Sequence, residues 1–173
     1  MKSLFTFIFS VSLFLGVVTS DLQAQVTVTG KIFAEVIATL SANETAQLNF
    51  GRFSPETEGG EVLVTPDDSR ASTGTVILGS GVHNAASFYI TGENEATYSI
   101  TLPPEPAIIT NVINNKTMQV RNWTSNPANG TGTGVLSRGS QVVRVGATLV
   151  VGNQNDNPVG IYTGTYTITF NYN

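Results

Sequence analysis

The side chains that could do chemistry are few and scattered. His83 is the only histidine, and there is no cysteine. Gly79-Ser80-Gly81 lacks the spacing of a nucleophile elbow, so a Ser/His or Cys/His arrangement is nearly excluded. Beside Gly81 and Asn84, His83 reads as a solvated loop residue. Asp67 and Asp68 follow Pro66 and offer oxygens to a hard cation, but the loop lacks the regular acidic spacing of a calcium motif. They are expected to form the turn that ends a strand. Glu56 with Glu58, and Glu93 with Glu95, have the residue type of glycosidase carboxylates, yet such pairs in polar loops are generic. No catalytic residue, metal ligand or cofactor is expected, and the chain is read as non-enzymatic.

Binding chemistry has one candidate. Trp123, between Asn122 and Thr124 and followed by a Gly/Asn-rich loop, is a possible ligand residue, a stacking platform for a sugar. The opposing reading, that a sandwich's only tryptophan belongs to its core, is favoured. The Asn-x-Thr triplets at Asn43, Asn115, Asn122 and Asn129 fit glycan acceptors in a eukaryotic secretory path, but a sequence this rich in Asn and Thr produces them by chance.

The elements that must position these residues read as strands. Thr, Val, Asn and Gly dominate, long Glu/Lys/Leu stretches are absent, and short apolar runs recur between Gly, Asn and Pro. Strands are expected at 26–40, 46–53, 61–66, 75–78, 86–91, 96–102, 116–120, 141–145, 147–151 and 162–172. Pro103-Pro104-Glu105-Pro106 is expected to be a rigid extended crossing, and Asn126 to Gly134 and Asn153 to Pro158 to be loops. Short strands at this spacing make a two-sheet β-sandwich.

Charged residues are 12% of the chain and the net charge is −4, with no basic cluster, which argues against nucleic acid or an anionic membrane as partner. Lys2, the apolar run Leu4 to Val18 and Leu22-Gln23-Ala24 read as a signal peptide over residues 1–24, with cleavage before Gln25 and a cut after Ser20 as fallback. The run is shorter than the roughly 18 apolar residues usual for a spanning helix, so no membrane insertion is expected after cleavage. Residues 25–173 suit one exported domain that folds without disulfides.

Two segments carry the cleanest period-2 patterns. Val26, Val28, Gly30, Ile32 and Ala34 alternate with largely polar neighbours, and the alternation runs on to Leu40. At the other end Tyr162, Gly164, Tyr166, Ile168, Phe170 and Tyr172 alternate with Thr163, Thr165, Thr167, Thr169 and Asn171. A long apolar strand there, with nothing to cover its far edge, invites pairing with another strand.

The blocks Leu48 to Phe53, Gly60 to Pro66, Ala86 to Gly92, Thr97 to Pro103 and Gly160 to Tyr172 resemble the exported bacterial domain of unknown function 4402, over nearly all of the mature chain. That family has no assigned activity. The closing strand and the Phe-Gly block also show a lesser resemblance to spore-coat-U-type and chaperone-usher pilins, and Ala24-Gln25 is similar to cleavage points in Bacteroidetes-type bacteria. The pilin resemblance implies an incomplete immunoglobulin-like sandwich whose last strand comes from the amino-terminal segment of the next subunit. The matching donor residues are Val26, Val28, Gly30, Ile32 and Ala34, and the acceptor edge includes Tyr166, Ile168, Phe170 and Tyr172. It further implies copies of the same chain or related subunits as partners, with a periplasmic chaperone and an outer-membrane usher. Many such pilins carry a disulfide, which this chain lacks. The alternation reaching Leu40 also leaves open that the first strand folds back on its own domain. The expected function is a structural subunit of a surface fibre. The alternative is a monomeric secreted module that binds glycans or matrix.

Overall fold

A computed structural model describes residues 25–173; the signal-peptide reading lies outside them. Residues 25–35 form a unit described separately from the body, residues 36–173. They carry no secondary structure, and Val26, Val28, Ile32 and Phe33 are all more than four-fifths exposed.

The body is all-β, built from eleven strands: β1 Ser41–Ala46, β2 Phe53–Val64, β3 Arg70–Leu78, β4 Ala86–Thr91, β5 Thr97–Thr101, β6 Ala107–Asn111, β7 Thr117–Asn126, β8 Gly130–Val135, β9 Ser140–Val151, β10 Tyr162–Thr163 and β11 Thr169–Tyr172. All pairings are antiparallel. The larger sheet runs β1-β4-β9-β7-β6-β10, with β2 also on β9 and β3 on β2; the smaller runs β11-β5-β8. Together they form a sandwich-like fold.

β9 organises the larger sheet. Val143, Val145, Ala147, Leu149 and Val151 recur on every second position and are all buried, so one face of the whole strand points inward. Its first half pairs with β4 and its second half with β2, while β7 lies along its other side. Two clusters result. Ala86, Ile90, Tyr98, Ile100, Leu136, Val143 and Val145 fill the space between the first half of β9 and the smaller sheet. Val62, Val64, Val76, Met118, Val120, Ala147, Leu149 and Val151 form a second cluster with Phe50 and Ala85, on the half of the larger sheet carrying β2, β3 and β7.

Several strand expectations are corrected. Residues 26–40 form no strand; the first ladder begins at Ser41. β1 is an exposed edge strand that pairs only with β4. Of the Ala46 to Phe53 stretch, Ala46 ends β1 and Phe53 begins β2; residues 47–52 between them largely keep the alternation of exposed and more buried residues but make a single bridge, Asn49 with Asn84. The segments read as 141–145 and 147–151 are one strand, and 162–172 holds two short strands with an unpaired stretch between them. β6 was not expected, because five residues beside the Pro-rich crossing carry little pattern. Within the Asn126 to Gly134 loop lies most of β8, after a cis Asn126–Pro127 bond. A strand forms there because Gly134 lies flat on the Tyr98 ring: a Cβ at Gly134 would come within 2.2 Å of it. The glycine that reads as turn chemistry is what lets a buried tyrosine fit beneath the strand.

Candidate functional site

The smaller sheet covers the first cluster; the second is roofed differently. Residues 46–53 form one wall above it and 158–168 the other, and between them runs a groove of about 1810 Å³. Phe50, Met118, Val120, Trp123 and Leu149 line it. Its volume exceeds the roughly 300–1,000 Å³ of typical small-molecule pockets.

Both walls are strand-like without being paired across the groove. On the first, Ala46, Leu48 and Phe50 turn inward and Gln47 and Asn49 outward. Asn49 exchanges N–H···O bonds of 2.9 and 3.0 Å with Asn84 on the outer side. Neighbouring residues of an extended chain point their backbone groups to opposite sides, so those of Leu48 face the groove. On the second wall, Tyr166 and Ile168 are half-buried and alternate with exposed Thr165 and Thr167. Among the described residues, Gly164 through Ile168 make no backbone–backbone hydrogen bond. Gly164 holds this wall close to β6, since a Cβ there would lie 2.3 Å from the Ile108 carbonyl oxygen. The first wall leaves the Leu48 groups free, while its Phe50 and Arg52 carbonyls accept from Arg70 Nη1 (3.1 Å) and the Gly79 amide (2.8 Å). The free edge is therefore chiefly the second wall, and a free edge beside an apolar floor is what a further strand requires.

The four acceptor-edge residues fall in two places. Tyr166 and Ile168 line the groove; Phe170 and Tyr172 belong to β11, paired with β5. The Phe170 ring lies 6.0 Å from Phe88 and 6.1 Å from Tyr98, within the first cluster. The Tyr172 hydroxyl donates to the Ala38 carbonyl oxygen (2.9 Å) and accepts from the Glu93 amide (2.7 Å). Ala38 N–H in turn donates to Glu93 Oε2 at 2.9 Å. This clasp, built from residues with no sequence motif, ties Ala38 to the body.

Trp123 stands in β7, half-buried and packed against both clusters, with its ring 4.6 Å from that of Tyr166. One edge also borders a second hollow of about 500 Å³ with Arg121, Asn122, Asn129 and the Pro103 to Pro106 crossing. With Tyr166 against it, the indole serves first as packing.

The remaining candidates are tied into turns. Asp67 accepts from the Thr65 and Ser69 hydroxyls, which lower its carboxyl below the usual range. Asp68 accepts from the Ala85 amide (2.8 Å) and pairs with Arg144. Glu56 and Glu58 are exposed on the bulged part of β2. His83 lies in the loop before β4, half-buried with Nδ1 unpartnered. No grouping of three or more His, Asp or Glu side chains within reach of one metal ion occurs among the described residues.

Burial pushes the Tyr98 hydroxyl up to about 12, and raises Tyr166 further, with Glu44 adding to it. A raised folded value means the stabilisation is complete below the unfolded value, about 10, and is lost as pH climbs through the folded one. Stability to urea is therefore expected to hold to about pH 10 and fall steadily toward pH 12. A midpoint flat across that window would contradict the burial of these hydroxyls.

The fold and groove define an all-β sandwich with one half of its core open between two strand edges. The family model described as "Domain of unknown function (DUF4402)" matches residues 40–172, and the chain belongs to that family. No curated protein matches the chain.

Proposed function

We propose that the protein is an exported, non-enzymatic structural subunit of a cell-surface fibre, assembled by β-strand complementation. The observation that carries the reading is the groove, whose floor is core and whose second wall, residues 164–168, is an unpaired edge. The occupant is residues 26–34 of another copy, or the matching segment of a related subunit. Nine residues extend to roughly 30 Å at about 3.3 Å per residue, against about 26 Å for the eight residues of the first wall, 46–53. Val26, Val28, Ile32 and Ala34 point to one side and Gly30 sits between them, matching a groove lined by apolar side chains. Val26, Val28 and Ile32 contribute on the order of 4.5 to 9 kcal/mol gross, an upper bound before ordering costs, and Ala34 adds less. Ladder bonds to the two walls add register. A contact of this kind is head-to-tail and need not close, so it propagates as a filament. Export precedes assembly, with a periplasmic chaperone and an outer-membrane usher as the fitting machinery.

Hydrogen exchange on the subunit purified without partners tests this, on protein whose intact mass places Gln25 first. The amides of Val26 to Ala34 are expected to exchange freely in the monomer and to become protected in the polymer. Strong protection in the monomer would mean that the segment fills its own groove.

A further inference from the structure

The second wall ends in an exposed apolar patch that the groove does not account for. Val112 (62% exposed) and Ile113 (80%) follow β6, and Val159 (100%) and Ile161 (69%) precede β10. The Val112 amide donates to the Ile161 carbonyl oxygen at 3.0 Å, so the four side chains form one surface. It lies at the end of the groove away from the clasp. Ile168 and Glu44 line the groove and lead along the chain to Tyr172 and to Ser41, which pairs with Thr91 near Glu93, so they mark the clasp end; Val159 and Ile161, at the start of the same wall, line the other.

We infer that this patch receives Val36 and Ile37 of the copy that donates its segment, so that subunits touch body to body as well as through the strand. The inference rests on the strand-exchange reading, and it follows from the length of the connection. Ala34 ends the donated stretch and Ala38 is clasped to the donor's own body by Glu93 and Tyr172. Only four residue steps separate them, roughly 14 Å at full extension, so the two bodies must meet where Ala34 comes to lie.

Charge decides which end of the groove that is. Glu35 follows Ala34 directly. At the clasp end it would face Glu44 and Glu93; at the far half stands Arg52, exposed and without an ion pair among the described residues. The segment therefore runs antiparallel to residues 162–172, with Ala34 at the far end. Val36 (96% exposed) and Ile37 (53%) then come down beside Val112, Ile113, Val159 and Ile161. The opposite polarity would set clasp against clasp, giving a closed pair rather than a filament.

The chain has no cysteine, so engineered pairs report cleanly. In assembled protein, Ile37→Cys/Ile113→Cys treated with a short bismaleimide is expected to give a covalent ladder of dimers, trimers and longer species. Ile37→Cys alone should give no crosslink. Covalent dimers from Ile37→Cys alone, or assemblies visible by electron microscopy that yield no ladder from the double variant, overturn the inference and leave strand exchange standing. Failure of the unsubstituted chain to assemble at all overturns the inference, and a body that also fails to bind a synthetic peptide of residues 25–35 overturns strand exchange between copies as well. As a second measurement, Ile113→Asp is expected to bind a synthetic peptide of residues 25–35 as tightly as the unsubstituted protein. Its assemblies should dissociate about tenfold faster or more, and equal dissociation would count against the patch.

Discussion

A chain carrying Val28→Asp and Ile32→Asp is expected to remain folded as a subunit and to lose assembly altogether. Both positions lie in residues 25–35, outside the unit that forms the body. There Val28 is 85% and Ile32 99% exposed, so the substitutions should move the unfolding midpoint by no more than about 0.5 kcal/mol. In the groove the effect reverses. Two apolar side chains that each contribute roughly 1.5 to 3 kcal/mol give way to carboxylates with no partner over Phe50, Met118 and Leu149. Mixed into normal protein, the variant can still accept a segment but cannot donate one, so it should shorten fibres in proportion to its share. Loss of the folded monomer would point instead to self-complementation. Unchanged fibre growth would remove the segment from assembly.

The sequence is informative about this fold where a side chain's environment follows from its own strand, and silent where it follows from a partner. Period-2 runs place β4 to the residue and mark both halves of β9, split at Gly146, because each strand buries one full face. The same pattern over 26–34 marks a segment suited to a strand, but strand formation needs a neighbouring edge. The body places no such ladder there. Residues 46–53 and 164–168 show the converse: alternation survives in half-buried side chains while the hydrogen-bond ladder is missing. β8 is not legible in the sequence because Gly134 answers to the Tyr98 ring, thirty-odd residues away in the chain. The clasp escaped for a similar reason, since Ala38, Glu93 and Tyr172 meet only after both sheets form. Of the candidate site, the sequence named Tyr166 and Ile168 on one wall. It had no means of naming Met118 or Leu149 as a floor, because burial under an open groove and burial under a sheet leave the same residue types.

Trp123→Ala separates the two roles weighed for the indole. The ring packs against both clusters and on Tyr166 at 4.6 Å, so it joins the sandwiched half of the core to the grooved half. Removing a large buried aromatic side chain typically costs about 3 to 5 kcal/mol. Trp123 is half-buried, so the urea midpoint is expected to fall by the equivalent of about half that cost with the slope preserved. The groove should suffer as well, because Tyr166 loses the surface that holds it half-buried on the second wall. A synthetic peptide of residues 25–35 should then bind more weakly than to the unsubstituted body. A sugar platform predicts the opposite pair of results: an unchanged midpoint, together with loss of a glycan-dependent shift in tryptophan fluorescence. Because stability and peptide binding are read on one variant, a midpoint that falls without any change in peptide affinity would still be decisive. It would leave Trp123 in the core and take it out of the groove.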